Sequence, residues 1–178
     1  MTSPITLVQL TDTHLVPMSI SRLRGFPTKD SLAAVLAAIQ PYEPDYLLLT
    51  GDLADAGDWE AYQQLVAMIT PLGIPCLWLP GNHDLYDRLA QTLNQPPFDA
   101  RKSLTIGQWR LILLNSVITT NCIGTGQLSA STLAWLHQEL QAHSTHPTLI
   151  ALHHHPLPTH IDWLDQISLL EPDTFLAM

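Results

Sequence analysis

Nearly uniform apolar runs alternate along this chain with segments whose apolar residues recur every three to four positions. Ile5-Thr6-Leu7-Val8-Gln9-Leu10 is the first such run, ended by polar Thr11-Asp12-Thr13-His14. It reads as a buried strand. Between Lys29 and Ile39, the residues Leu32, Val35, Leu36 and Ile39 share one helical face, with Thr28 or Asp30 to cap it and Pro41 to stop it. Tyr46 to Leu49 is a second apolar strand, ended by Gly51-Asp52. Asp58 is placed to cap a helix through Ile69, closed by Pro71 and Gly73. Ile74 to Leu79 forms a third strand, broken by Pro80-Gly81.

This strand–loop–helix rhythm predicts an α/β fold with a parallel sheet covered by helices. The middle of the chain changes character. Ser103 to Ile106 and Arg110 to Leu114, separated by Gly107-Gln108, predict a hairpin. An amphipathic helix follows from Ser129 to Gln141, with Leu133, Leu136 and Leu140 on one face. Thr148 to Leu152 is a further strand, running into His153-His154-His155-Pro156. There is no repeat, low-complexity tract or linker, so one globular domain over 1–178 is expected.

Composition narrows the function classes. At 178 residues, 46% hydrophobic and 13% charged, the chain can bury a core and is not disordered. Sixteen acids against seven bases give a net charge of -9, which argues against a nucleic-acid partner, since a duplex binder needs a basic footprint. Cys76 and Cys122 have no paired spacing and read as small buried hydrophobes of a reducing compartment. The N-terminus lacks a basic signal-peptide region, and the run from Ile5 is too short to cross a membrane. A soluble, cytoplasmic protein without a membrane partner is expected.

The unusual polar groups gather at strand ends, where open parallel sheets bind ligands. They are Asp12-Thr13-His14, Gly51-Asp52, Gly81-Asn82-His83-Asp84 and His153-His154-His155. Each taken alone has a plain explanation as a turn, a cap or a solvated loop. Together they are hard to obtain from turn chemistry. Carboxylate, amide oxygen and imidazole without thiolate suit manganese, iron or zinc in an open site. A carboxylate shared between two ions roughly 3.5–4 Å apart is the arrangement used for phosphoryl chemistry.

In order and content these motifs resemble those of the calcineurin-like metallophosphoesterases. Gln9 to His14, Trp78 to Asp84 and Ala151 to Pro158 are similar to the class III 3′,5′-cyclic AMP phosphodiesterase branch, as are Gly126-Gln127-Leu128-Ser129 with Trp135-Leu136 and Trp163-Leu164-Asp165-Gln166. The resemblance implies a metallophosphoesterase-type sandwich of two β-sheets flanked by helices, with two divalent or mixed-valence ions. Asp12 and His14 would ligate the first ion, Asp52 would bridge both, and Asn82 would ligate the second. His83 matches the catalytic histidine. Among the three histidines, the pattern implies His153 as second-ion ligand, with His154 as the alternative, because a one-residue slip at a strand end changes which side chain points inward.

The implied activity is hydrolysis of the small molecule 3′,5′-cyclic AMP to 5′-AMP. A broad-specificity phosphoesterase and a catalytically silent metal- or nucleotide-binding fragment are the rivals. The family's closing Gly-His-x-His motif does not occur before Met178, so a C-terminally incomplete domain is expected. Arg22 and Arg24, after the first motif, are candidates for substrate contact or for a solvated loop. The tryptophans at 59, 78, 109, 135 and 163 are expected to be core or interface aromatics rather than base-stacking platforms. Which metals bind, and whether the chain forms a homodimer, stay open.

Overall fold

The structure is a computed structural model and describes residues 4–118 and 124–178; Cys122 lies outside the described residues. Contacts divide the chain into two compact units, Met1–Arg101 and Lys102–Met178. The fold is mixed α/β, with one sheet and its helices in each unit.

In the first unit, β1 (Leu7–Leu10), β2 (Tyr46–Thr50), β3 (Cys76–Leu79) and β4 (Phe98–Asp99) form a sheet in that order, every pair parallel. Leu47 pairs with Cys76 and Leu49 with Trp78, so these four side chains share one face. That face packs into a single cluster with Leu32 and Leu36 of α1 (Thr28–Ile39), Tyr62, Leu65 and Ile69 of α2 (Trp59–Ile69), and Leu89 of α3 (Tyr86–Thr92). Leu48, Leu77 and Leu79 point the other way and are equally buried. Burial on both faces is why these strands read as continuous apolar runs. The ends of β1, β2 and β3, which lead into Asp12, Asp52 and Asn82, therefore leave this sheet on one side.

Helix boundaries differ from expectation at α1. Neither Thr28 nor Asp30 caps it; Pro27 holds the cap position at φ −82° and Thr28 is already helical. A ring that presets φ near the helical value starts the helix without a side-chain cap. Asp58 does occupy the cap position of α2, in extended conformation, but its side chain makes no capping bond. Gly73, at φ +67°, closes the turn after α2 as expected.

In the second unit, β5 (Ser103–Ile106) and β6 (Trp109–Leu113) form the expected hairpin, and β7 (Thr148–Ala151) pairs parallel to β6. Across this sheet lies α4 (Ala130–Ala142), capped by Ser129, whose hydroxyl accepts the Thr132 N–H at 3.1 Å. Leu136 of α4 is fully buried against Ile112 and Leu114, with Leu128 and Leu169. Arg110 ties the helix to the hairpin, donating to Glu139 Oε2 and Ser103 Oγ at 2.6 Å each.

The tryptophans split. Trp78 is buried and Trp135 packs on the second core, but Trp59, Trp109 and Trp163 are 40%, 54% and 65% exposed and are not core residues. Trp59 and Trp109 open their elements and Trp163 lies in a one-turn helix, where the chain is leaving the core.

Candidate metal centre

The site begins where β1 and β2 end. Asp12, His14 and Asp52 adopt φ of +53°, +40° and +52°, beside Gly51 at +97°. Aspartate and histidine tolerate this left-handed region better than most residues. The two loops it creates are zipped together. Asp12 N–H donates to the Gly51 carbonyl at 3.0 Å, His14 N–H to that of Asp52 at 2.9 Å, and Asp55 N–H to that of Leu15 at 3.0 Å.

The end of β3 closes onto this pair of loops. A side chain at Gly81 would run into the Asp52 carboxylate and backbone nitrogen, so only glycine allows the approach. His83 N–H donates to Asp52 Oδ1 at 2.9 Å. The buried Asp84 carboxylate accepts from the backbone N–H of Leu53, Ala54 and Gly81 and from the Tyr62 hydroxyl. Burial raises the Asp84 pKa despite these bonds, and burial with Asp84 alongside raises that of the Tyr62 hydroxyl. The carboxylate thus pins the turn of β3 to the loop of β2.

Imidazole and carboxylate converge within this frame. His14 Nδ1 lies 3.2 Å from Asp55 Oδ1, which as a carboxylate can only accept, so Nδ1 carries the proton. Its Nε2 then turns a lone pair toward Asp52 Oδ2 at 3.5 Å and Asp12 Oδ1 at 3.7 Å. Ligand atoms around one ion with bonds of about 2.1 Å sit about 3–3.5 Å apart. The separations are slightly wider than that, and the donor set fits a divalent ion. The Asp12 carboxylate, then the charges of Asp52 and Asp55, favour a protonated ring and raise the His14 pKa, although its burial opposes this. That surplus of negative charge is what a cation would neutralise.

His83 stands edge-on to His14, ring centres 4.8 Å apart, and His14, Asp55 and His83 together form a cluster able to hold a metal. His83 Nδ1 contacts the Asp55 carbonyl oxygen at 2.7 Å. A carbonyl cannot donate, so Nδ1 carries hydrogen and Nε2 is left for proton exchange. Asn82 lies half-buried in the same turn.

In the second unit, His153 is half-buried just beyond β7. Its neighbour His154 is 3% exposed, with Nε2 donating to the Gly124 carbonyl at 3.0 Å and Nδ1 accepting from Ser116 Oγ at 2.7 Å. Both ring nitrogens of His154 are therefore committed. His155 faces Asp165 at 3.5 Å. Arg22 donates to the Gly25 carbonyl within its own exposed loop, and Arg24, at φ +47°, turns that loop.

Sequence reasoning missed Asp55, which orients both His14 and His83; its only signal was its place three residues after Asp52. It also missed Tyr62, which looks like any helix-face aromatic.

The sequence model of the calcineurin-like phosphoesterases matches residues 5–174. A 3′,5′-cyclic-nucleotide phosphodiesterase of Nostoc sp. is 42% identical over 177 residues, covering 98% of this chain and 66% of the relative. The 3′,5′-cyclic adenosine monophosphate phosphodiesterase CpdA of Escherichia coli K12 is 40% identical over 179 residues, covering 97% and 64%. The chain thus spans about two thirds of the length of these curated relatives. Among solved structures, a dimetal phosphatase from Danio rerio shares the fold, with a TM-score of 0.73 at 12% identity over 97% of this chain and 76% of that one. The chain belongs to the calcineurin-like phosphoesterase family.

Proposed function

We propose that this chain hydrolyses 3′,5′-cyclic AMP to 5′-AMP at a dinuclear metal centre, as a single phosphoesterase domain over 1–178. The observation that carries the proposal is the convergence of His14 Nε2 with Asp12 and Asp52, beside His83 with its Nε2 available. The relatives named as cyclic nucleotide phosphodiesterases support the substrate.

Asp12 and His14 would hold one ion, Asp52 would bridge, and Asn82 and His153 would hold the second; iron, manganese and zinc all suit this set. Bound there, such ions supply Lewis acidity toward a phosphate ester and lower the pKa of water. His83 acts on the other side of the reaction. As imidazolium it gives the Nε2 proton to the departing 3′ ribose oxygen as the P–O bond breaks. It is left as the neutral tautomer with Nδ1–H still on the Asp55 carbonyl, so no rearrangement accompanies the transfer. Asp55 is a positioning residue for both imidazoles.

We extend the proposal to a cytoplasmic location, on the cysteine usage. Cys76 is free and buried, and burial pushes its thiol pKa up to about 12, so it is inert. Among the described residues no helix is long and apolar enough to cross a membrane.

The test is release of 5′-AMP from cyclic AMP by the manganese-loaded chain, compared with hydrolysis of bis(4-nitrophenyl) phosphate. Turnover of cyclic AMP that is lost in His83→Ala is the expected result. Strong turnover of the aryl diester with none on cyclic AMP selects the broader phosphoesterase. Absence of both with metal bound selects a silent binding module.

A further inference from the structure

Beside Asp12 lies a cavity of about 270 Å³ for which the chemistry above has no use. That volume sits at the low end of small-molecule clefts. Its floor is apolar, built by Leu10 at the end of β1 and by Leu32 and Val35 on α1. Its rim carries hydroxyls, Thr11 from the β1 loop and Thr28 and Ser31 from the start of α1. Asp12 is the one charged side chain in the lining, and it is negative.

Thr28 makes this more than a surface dent. Its Oγ1 is buried and takes no hydrogen bond among the described residues. A hydroxyl removed from water without a partner is uncommon and costly. Thr11 Oγ1 already donates to Asp12 Oδ2, so toward a ligand it can only accept. The cavity therefore offers a donor or acceptor at Thr28, an acceptor at Thr11, an apolar floor, and no cation. A second anion has nothing to meet here. A neutral group with a flat apolar face and a polar edge does.

We propose that this cavity is the subsite for the nucleoside portion of the cyclic nucleotide, resting on the phosphodiesterase assignment of the adjoining centre. With the phosphate held at the adjoining metal centre, the nucleoside extends along the first turns of α1. The base lies over Leu32 and Val35, and Thr28 hydrogen-bonds its edge or a ribose hydroxyl. Discrimination between cyclic nucleotides and simple phosphodiesters then resides in side chains of α1 that ligate no metal.

The test uses adenosine as probe, titrated calorimetrically into the metal-free chain, with two variants. Thr28→Val keeps the shape and removes the hydroxyl; Ser31→Phe, at an exposed helical position, fills the cavity. The wild-type chain is expected to bind adenosine, Thr28→Val about fivefold more weakly and Ser31→Phe at least tenfold more weakly. With manganese, KM for cyclic AMP is expected to rise by the same factors at constant kcat. Failure of adenosine to bind the wild-type chain, or equal affinity in wild type and both variants, overturns the subsite. Adenosine binding of this pattern without cyclic AMP hydrolysis overturns the phosphodiesterase assignment and leaves the subsite standing. Hydrolysis whose KM neither variant moves does the reverse.

Discussion

Tyr62, on α2, donates its hydroxyl to Oδ1 of Asp84 at 3.0 Å and accepts the Leu85 N–H at the same distance. A helix is thereby bonded to the turn that carries Asn82 and His83. Tyr62→Phe leaves the ring packed but removes one of three donors to the buried Asp84 Oδ1, beside the Leu53 and Ala54 N–H groups, and takes the acceptor from the Leu85 N–H. A loss of about 1–3 kcal/mol in unfolding free energy is expected, read from urea denaturation. An unchanged midpoint would show that Asp84 holds the turn through backbone donors alone.

Much of this was legible in the sequence, and the exceptions have physical causes. Apolar runs that stop at Thr11, Gly51 and Pro80 marked the strand ends: β2 and β3 are buried on both faces and stay apolar almost to their last residue, while β1 admits only Gln9, on its exposed side. The candidate ligand residues lie at those ends. Asp55 was not legible, since its role arises from the left-handed turn at Asp52, which brings a residue three positions on back beneath His14 and His83. β4 escaped because two residues carry no period, and α3 because seven residues carry barely two turns. Thr28 was read as a cap, but Pro27 displaced it into the helix.

Gly81→Ala tests the closeness of β3's turn to Asp52. The added methyl meets the Asp52 backbone nitrogen and Oδ1, the latter held by the His83 N–H. Metal content measured by elemental analysis is expected to fall below half of wild type, with a lowered melting temperature. Gly25→Ala is a control for the composition change, because open space surrounds that position and only its positive φ resists. Full metal retention in Gly81→Ala would mean the turn can withdraw without losing the centre.

The pair Arg110–Glu139 should leave a mark on acid stability. The bond from Arg110, then that from Ser103, holds the Glu139 carboxyl below the usual glutamate range. A depressed folded-state pKa stabilises fully above the ordinary value of about 4.3, and the gain is lost as pH falls toward the folded value. Glu139→Gln is expected to cost about 1–2 kcal/mol at pH 7, a gap that narrows from about pH 5 downward. Denaturant melts of both proteins across that range provide the measurement, and parallel curves would refute the linkage.

The histidine run separates into two roles by metal counting. His153→Ala is expected to lower bound metal from two ions per chain toward one. His154→Gln breaks the bonds to Ser116 and Gly124, so it should lower the melting temperature yet keep both ions. Loss of an ion in His154→Gln at a temperature where that variant is folded would reverse the assignment.

Because Asp12, His14 and Asp52 are set by backbone turns zipped to one another, the centre has its shape from the moment the chain folds. Ion capture then involves no search by the protein. Its speed is governed by encounter and by how readily the incoming ion sheds its own water, so metals that exchange water slowly would load slowly however tightly they finally hold. The choice among metals at such a centre is in part a race, decided before equilibrium is reached.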